Sequence, residues 1–182
     1  MRHGSLAVVP AFLLCAVNAG AAVTESGPNG FQVRHSAVFK AAPDVIYREL
    51  TEHVGEWWNP EHTFSGDAHN LHMDARAQGC FCETLPKGGS VRHLTVVFAA
   101  PGVALRLEGA LGPLQAGGVA GSMTWAFEPR DGGTQVTLTY NVGGYLPGGL
   151  DKIAPAADAM LGEQFTRFKN YIETGKPVAE HK

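Results

Sequence analysis

The stretch Gly149–Gly175, GLDKIAPAADAMLGEQFTRFKNYIETG, decides how the chain folds. Apolar residues recur in it at Leu150, Ile153, Ala157, Met160, Leu161, Phe165, Phe168, Tyr171 and Ile172. That three-to-four spacing puts them on one face of an amphipathic helix. Gly175 supplies the stop, with Pro177 just beyond it. Pro155 falls in the first turn or kinks the helix. A helix this long crosses a whole sheet, and its apolar stripe has to be covered by another element.

The cover is encoded upstream. Phe31 to Lys40, FQVRHSAVFK, sets Phe31, Val33, His35, Ala37 and Phe39 against a more polar set and reads as a first strand. Pro43 opens a helix with Val45, Ile46 and Leu50 on one side, and Thr51 is placed to cap a second short helix reaching Trp57 and Trp58. Asn59-Pro60 ends it, since the residue before proline avoids helical angles. Strands and turns follow: a weak candidate in LHMDA (71–75), then CFCETL (80–85), the turn PKGG (86–89), VRHLTVVFA (91–99) and a Pro101-Gly102 turn. After VALRLEG (103–109), SMTWAFE puts Met123, Trp125 and Phe127 on one face, and RDGG turns the chain into TQVTLTYNV (134–142). GGVAG at 117–121 lacks a nucleotide-loop spacing and reads as a bend or the start of a strand. Sequential strands with tight turns predict an antiparallel meander, one face wet and one buried. The sheet's apolar face is the cover the last helix needs, giving an α+β fold.

Strand, two short helices, a meander and one long C-terminal helix resemble the START-like helix-grip superfamily (SRPBCC), which includes the birch-pollen allergen and polyketide cyclases. AAPDVIYREL, EWWNP, GCFCETLP and the terminal helix are similar to the bacterial branch of heat-shock ATPase activator homologues. The resemblance spans roughly 31 to 174. It implies a curved antiparallel sheet, a long helix over its concave face, and an apolar ligand held in a cavity between them.

The ends carry different signals. Arg2 and His3, an apolar run from Leu6 to Val17, and Ala19-Gly20-Ala21 read as a cleaved signal peptide over 1–21. The run is too short to span a bilayer, which takes about 20 apolar residues. No small-residue lipobox precedes Cys15. The expected product is periplasmic or secreted, without stable membrane insertion, and consists of a flexible 22–30, one domain over 31–175 and a flexible tail 176–182. The mature 161 residues carry a net charge of −4 with no basic cluster, so nucleic acid is excluded as a partner. Oligomeric state stays open. Cys80 and Cys82 lie two apart, about 6.6 Å in a flat strand, so two half-buried thiols are favoured over a bridge.

No H-E-x-x-H or G-x-S-x-G motif occurs. His62, His69 and His72 are too loosely spaced for a metal site, so no metal and no cofactor is expected and they read as solvated loop residues. His62 remains a rim candidate. Trp57 and Trp58 cannot share one helix face, so the expectation is one in the core and one at a groove, with core packing of both as the alternative. Phe81, Trp125 and Tyr140 on the sheet and Met160, Gln164 and Phe168 on the helix are the other candidate ligand contacts. Gln164 stands out because a buried amide needs a partner. Glu83 and His93 are the candidate acid and base, although alternation favours placing them on the wet convex face. The expectation is a carrier of a hydrophobic or amphipathic small molecule. A cyclase or dehydrase acting on such a ligand, or a protein-interaction module, is the alternative.

Overall fold

The computed structural model describes residues 22–178; the expected signal peptide and residues 179–182 lie outside the described residues. The element order is β1 (Ala22–Gly27), β2 (Gly30–Phe39), α1 (Pro43–Glu52), α2 (Val54–Trp57), β3 (Leu71–Met73), β4 (Cys80–Thr84), β5 (Ser90–Ala100), β6 (Ala104–Glu108), β7 (Gly118–Arg130), β8 (Gly133–Tyr145) and α3 (Ala154–Thr174). All eight strands form one antiparallel sheet in the order β1-β2-β8-β7-β6-β5-β4-β3, with α3 packed across it. This is the α+β helix-grip arrangement.

Period-two alternation sets the sheet's two faces, and the register aligns the apolar positions into rows. One row runs Val33, Tyr140, Met123, Leu107 across four strands, and the next runs His35, Leu138, Trp125, Leu105. On α3 the stripe buries Ala154, Leu161, Gln164, Phe165 and Phe168, and Pro155 sits in the first turn without a kink. Gly175 ends the helix at φ 74°, a left-handed conformation that glycine adopts without a Cβ penalty, and its N–H donates to the Tyr171 carbonyl at 2.8 Å. Gly162 faces the His35 ring so closely that a Cβ there would lie 2.8 Å from Cε1.

The middle of the layer between helix and sheet is filled with aromatic rings. Phe168 lies 4.7 Å from Trp57, 5.5 Å from Phe39 and 5.8 Å from Trp125, centroid to centroid. Phe165 stacks on Trp125 at 5.9 Å and meets Phe39 edge-on at 5.4 Å. Trp57, Trp125 and Phe168 are therefore core residues. So is Tyr140, whose hydroxyl donates to the Gly109 carbonyl and accepts from the Leu111 N–H, both at 3.0 Å.

Three expectations are corrected. Residues 22–27 are a strand rather than a flexible lead-in: β1 pairs with β2, and Thr24 Oγ1 donates to Gln32 Oε1 at 2.7 Å. Val23, its apolar residue against the core, is too little signal for a pattern search. Thr51 does not cap α2; its hydroxyl turns back onto the Tyr47 carbonyl inside α1. Cys80 and Cys82 are joined in a disulfide. The two Cα atoms are 5.4 Å apart instead of the flat-strand spacing, within reach of a bridge.

Phe168→Ala tests whether this interior is filled. Removing a buried ring from close packing costs about 3–5 kcal/mol. The urea midpoint should fall accordingly with the m-value unchanged; a loss below about 1 kcal/mol would reveal slack space beneath the helix.

Candidate functional site

With the centre closed, the concave face leaves open space at one end of α3. There a cleft of about 230 Å³ is bounded by Trp58 and residues 61–64 after α2, Phe81 on β4, His93 on β5, Leu111–Pro113 after β6, and Met160 on α3.

The loop after α2 is fixed by a run of polar contacts to α3. The Asn59 N–H donates to Gln164 Oε1 at 2.8 Å, and the Asn59 amide donates to Glu163 Oε1 at 2.5 Å. His62 Nε2 lies 3.1 Å from Glu163 Oε2, and Arg167 Nε donates to the Trp57 carbonyl at 2.9 Å. Gln164 is thus a backbone anchor. Its Nε2, fully buried, has no protein partner among the described residues. Trp58 donates its indole N–H to the His62 carbonyl at 3.1 Å and meets Phe81 edge-on at 5.3 Å, forming one wall.

Opposite lies a buried pair. Glu83 is 0% exposed and His93 5%, which overturns the convex-face expectation for both. Glu83 shares the inner face of β4 with Phe81. His93 arrives there through a bulge: Phe81 pairs with Leu94 and Cys82 with Arg92, which leaves His93 as the extra residue. A bulge breaks alternation, so His93 and Leu94 are both buried although consecutive. The Glu83 carboxylate accepts from the Phe64 N–H (3.1 Å), the Ser65 N–H (2.5 Å) and His93 Nε2 (2.9 Å).

Burial alone would raise the Glu83 carboxyl, but hydrogen bonds from Ser65, Phe64 and His93 outweigh it and hold it below its ordinary value. Burial pushes His93 down against the opposing pull of Glu83, so the ring is neutral near pH 7. An ionised carboxylate only accepts, so the imidazole hydrogen sits on Nε2 and Nδ1 keeps its lone pair. That Nδ1 is buried with no protein partner among the described residues. The arrangement can orient a ligand's hydroxyl or N–H, or accept a proton from it.

The cleft gathers Trp58, His62, Phe81, Met160 and His93 from the sequence candidates, with Glu83 behind His93. Trp57, Trp125, Tyr140 and Phe168 lie in the packed core, and Gln164 braces the loop. Sequence reading missed Phe64, which is 57% exposed, stacks on His93 at 5.9 Å and borders the cleft. Its signal is an aromatic stranded in the polar run EHTFSGD. The three loop histidines take different partners: His62 meets Glu163, His69 meets Asp67 at 3.0 Å, and His72 points outward from β3. A second, more open groove of about 640 Å³ runs along the other flank of α3 past His35 and Asp158, which lie 3.1 Å apart.

No family model matches the chain, and no curated protein matches it. Solved structures do. An uncharacterized protein from Rhizobium leguminosarum, 19% identical, has a TM-score of 0.58 and aligns over 82% of this chain and 99% of its own. The Aha1 dimer from Colwellia psychrerythraea is 15% identical, with a TM-score of 0.54 over 80% of this chain and 98% of that one. DynU16, a putative protein of the dynemicin biosynthetic locus, is 19% identical with a TM-score of 0.54, over 80% of this chain and 48% of its own. At these identities the likeness establishes a shared helix-grip-like architecture and assigns no activity.

Acid titration tests the buried pair. Burial holds His93 below its ordinary 6.5, so just below that pH the unfolded chain binds a proton that the folded chain refuses. Its contribution to stability is complete above pH 6.5 and shrinks as pH falls toward the lowered folded value. Glu83, also lowered, adds a loss of the same sign in the carboxylate range, and buried His35 acts as His93 does. The urea midpoint should therefore fall between pH 7 and 5, and His93→Gln should flatten part of that slope. An unchanged slope would mean that the ring titrates alike in the folded and the unfolded chain.

Proposed function

We propose that the chain is an exported binding protein for a hydrophobic or amphipathic small molecule, held in the cleft between the loop after α2, the β4–β5 pair and the first half of α3. The observation that carries this reading is the placing of a buried, partnerless imidazole nitrogen on a residue that lines an aromatic-walled cleft. Trp58, Phe64, Phe81, Leu111 and Met160 offer apolar surface, worth about 25 cal/mol per Å² buried before binding costs. A cavity of about 150 Å³ holds benzene. By that measure 230 Å³ suits one ring with substituents, or two small fused rings. His93 Nδ1 would select, among such molecules, those presenting a hydroxyl, an N–H or an acidic C–H. The Cys80–Cys82 disulfide supports an oxidising compartment and hence export.

A second reading has its own support. A neutral histidine whose tautomer is fixed by a buried carboxylate is the arrangement a general base needs. In a cyclase- or dehydrase-like reaction, Nδ1 would take a proton from the bound ligand, and the Glu83 carboxylate would stabilise the imidazolium so formed. DynU16, from a biosynthetic locus, shares the architecture.

A panel of one- and two-ring phenols and ketones, titrated against the full chain by tryptophan fluorescence, tests both readings. Phe64→Ala and Met160→Ala, at incompletely buried positions, should weaken binding about tenfold, or about 1.4 kcal/mol each. Affinity unmoved by both variants would rule out the cleft. For the catalytic reading, His93→Gln should stop solvent deuterium entering the ligand, also at ligand concentrations that saturate the variant. Exchange surviving in His93→Gln would reject His93 as the base, and no exchange in the unaltered chain would leave a binding protein only.

A further inference from the structure

The outer face of the same strands carries a second constellation. Inner-face positions Phe81 and Glu83 alternate with Cys80 and Cys82, which therefore lie on the convex side, half-buried. On the edge strand β3, His72 is the cross-strand partner of Cys82 and projects to that same side, exposed. Among the described residues, one set of three His, Cys or carboxylate side chains brings its ligand atoms together, and it is this one, with all three atoms within 4.8 Å of one another.

We propose that His72, Cys80 and Cys82 form a binding site for a thiophilic d¹⁰ cation, Zn²⁺ or Cu⁺, closed when the cysteines are bridged and open when they are reduced. Thiolate and imidazole are the donors those ions prefer, and three protein ligands leave an outer position for water on Zn²⁺ or complete a trigonal set on Cu⁺. Two sulfurs on one tetrahedral Zn²⁺ stand about 3.8 Å apart, given a Zn–S distance of about 2.3 Å. Once the bond is broken, side-chain rotation alone opens that separation. Arg92 pairs with Cys82 from the other neighbouring strand, where its charge favours the thiolate. Asp74 is not a ligand: both its oxygens are held by Arg76, at 2.8 and 2.7 Å.

The switch balances with a dithiol as reductant. Two electrons and two protons pass from the dithiol to the bridge: the Sγ–Sγ bond breaks, Cys80 and Cys82 become thiols, and the donor becomes a disulfide. Cation binding then releases both thiol protons to solvent and leaves two thiolates and one neutral imidazole on the ion. Because the bridge spans only two residues of sequence, it removes little chain entropy from the unfolded state, so the reduced chain stays folded.

The experiment uses the full chain, reduced with a dithiol and freed of it anaerobically, beside the oxidised chain. Zn²⁺ and Cu⁺ are titrated separately against a competing chromophoric chelator, and Co²⁺ is added for its thiolate charge-transfer band. The reduced chain should take up one ion with a Kd of about 1 μM or tighter, and the oxidised chain should bind at least about 100-fold more weakly. His72→Ala should cost at least about tenfold and Cys82→Ser should remove the charge-transfer band, with tryptophan fluorescence unchanged in both. Saturation by Zn²⁺ but not Cu⁺, or the reverse, identifies the ion. The proposal is overturned if the oxidised chain binds equally, if His72→Ala leaves affinity unchanged, if neither ion binds the reduced chain, or if reduction unfolds it.

Discussion

Everything in this molecule is arranged around the contact of Phe165 and Phe168 with Trp57, Trp125 and Phe39. Aromatic side chains bury large apolar areas, and each of these ring pairs adds a geometric preference of its own. The wedge fixes the height of α3 above the sheet. It also consumes the space that an open helix-grip interior would leave in the middle, and the remaining opening is displaced to the end where Met160 faces Phe81 and His93.

Displacement has a chemical side. At the filled centre the Trp57 indole Nε1 is buried with no protein partner among the described residues, while the Tyr140 hydroxyl makes two hydrogen bonds. Burial there raises its phenol to about 12. At the open end, polar atoms are buried but incompletely satisfied, as at His93 Nδ1 and Gln164 Nε2. An unsatisfied buried polar atom costs about 1–3 kcal/mol unless something outside the chain answers it. The protein tolerates that cost next to its cleft.

Much of the architecture was legible because it rests on period. The recurrence from Leu150 to Ile172 announced a helix needing cover, and Met123-Trp125-Phe127 opposite Val136-Leu138-Tyr140 announced the cover. Where regular period breaks, legibility ends. The bulge at His93 turns its side chain inward, and alternation, which assumes no extra residue, sends it outward. The bridge judged too long for a flat strand forms because the cysteine Cα atoms lie 5.4 Å apart, closer than a flat strand sets them. Phe64 was invisible for another reason: its role depends on a loop held by Glu83 nineteen residues away, a pairing that spacing does not encode. Trp57 and Trp58 are both buried with their rings 5.5 Å apart, and Trp58, which leaves the helix in an extended conformation, also borders the cleft.

Glu83 Oε2 accepts from both the Phe64 N–H and His93 Nε2, while Oε1 accepts from the Ser65 N–H. One carboxylate therefore serves as both the doorpost and the rudder of the pocket. If the 63–65 segment swings outward to admit a guest, the anion loses two of its three donors and regains a reason to capture a proton, and the imidazole loses what steers it. A displacement of residues 64–65 would therefore be felt at His93 through this one carboxylate.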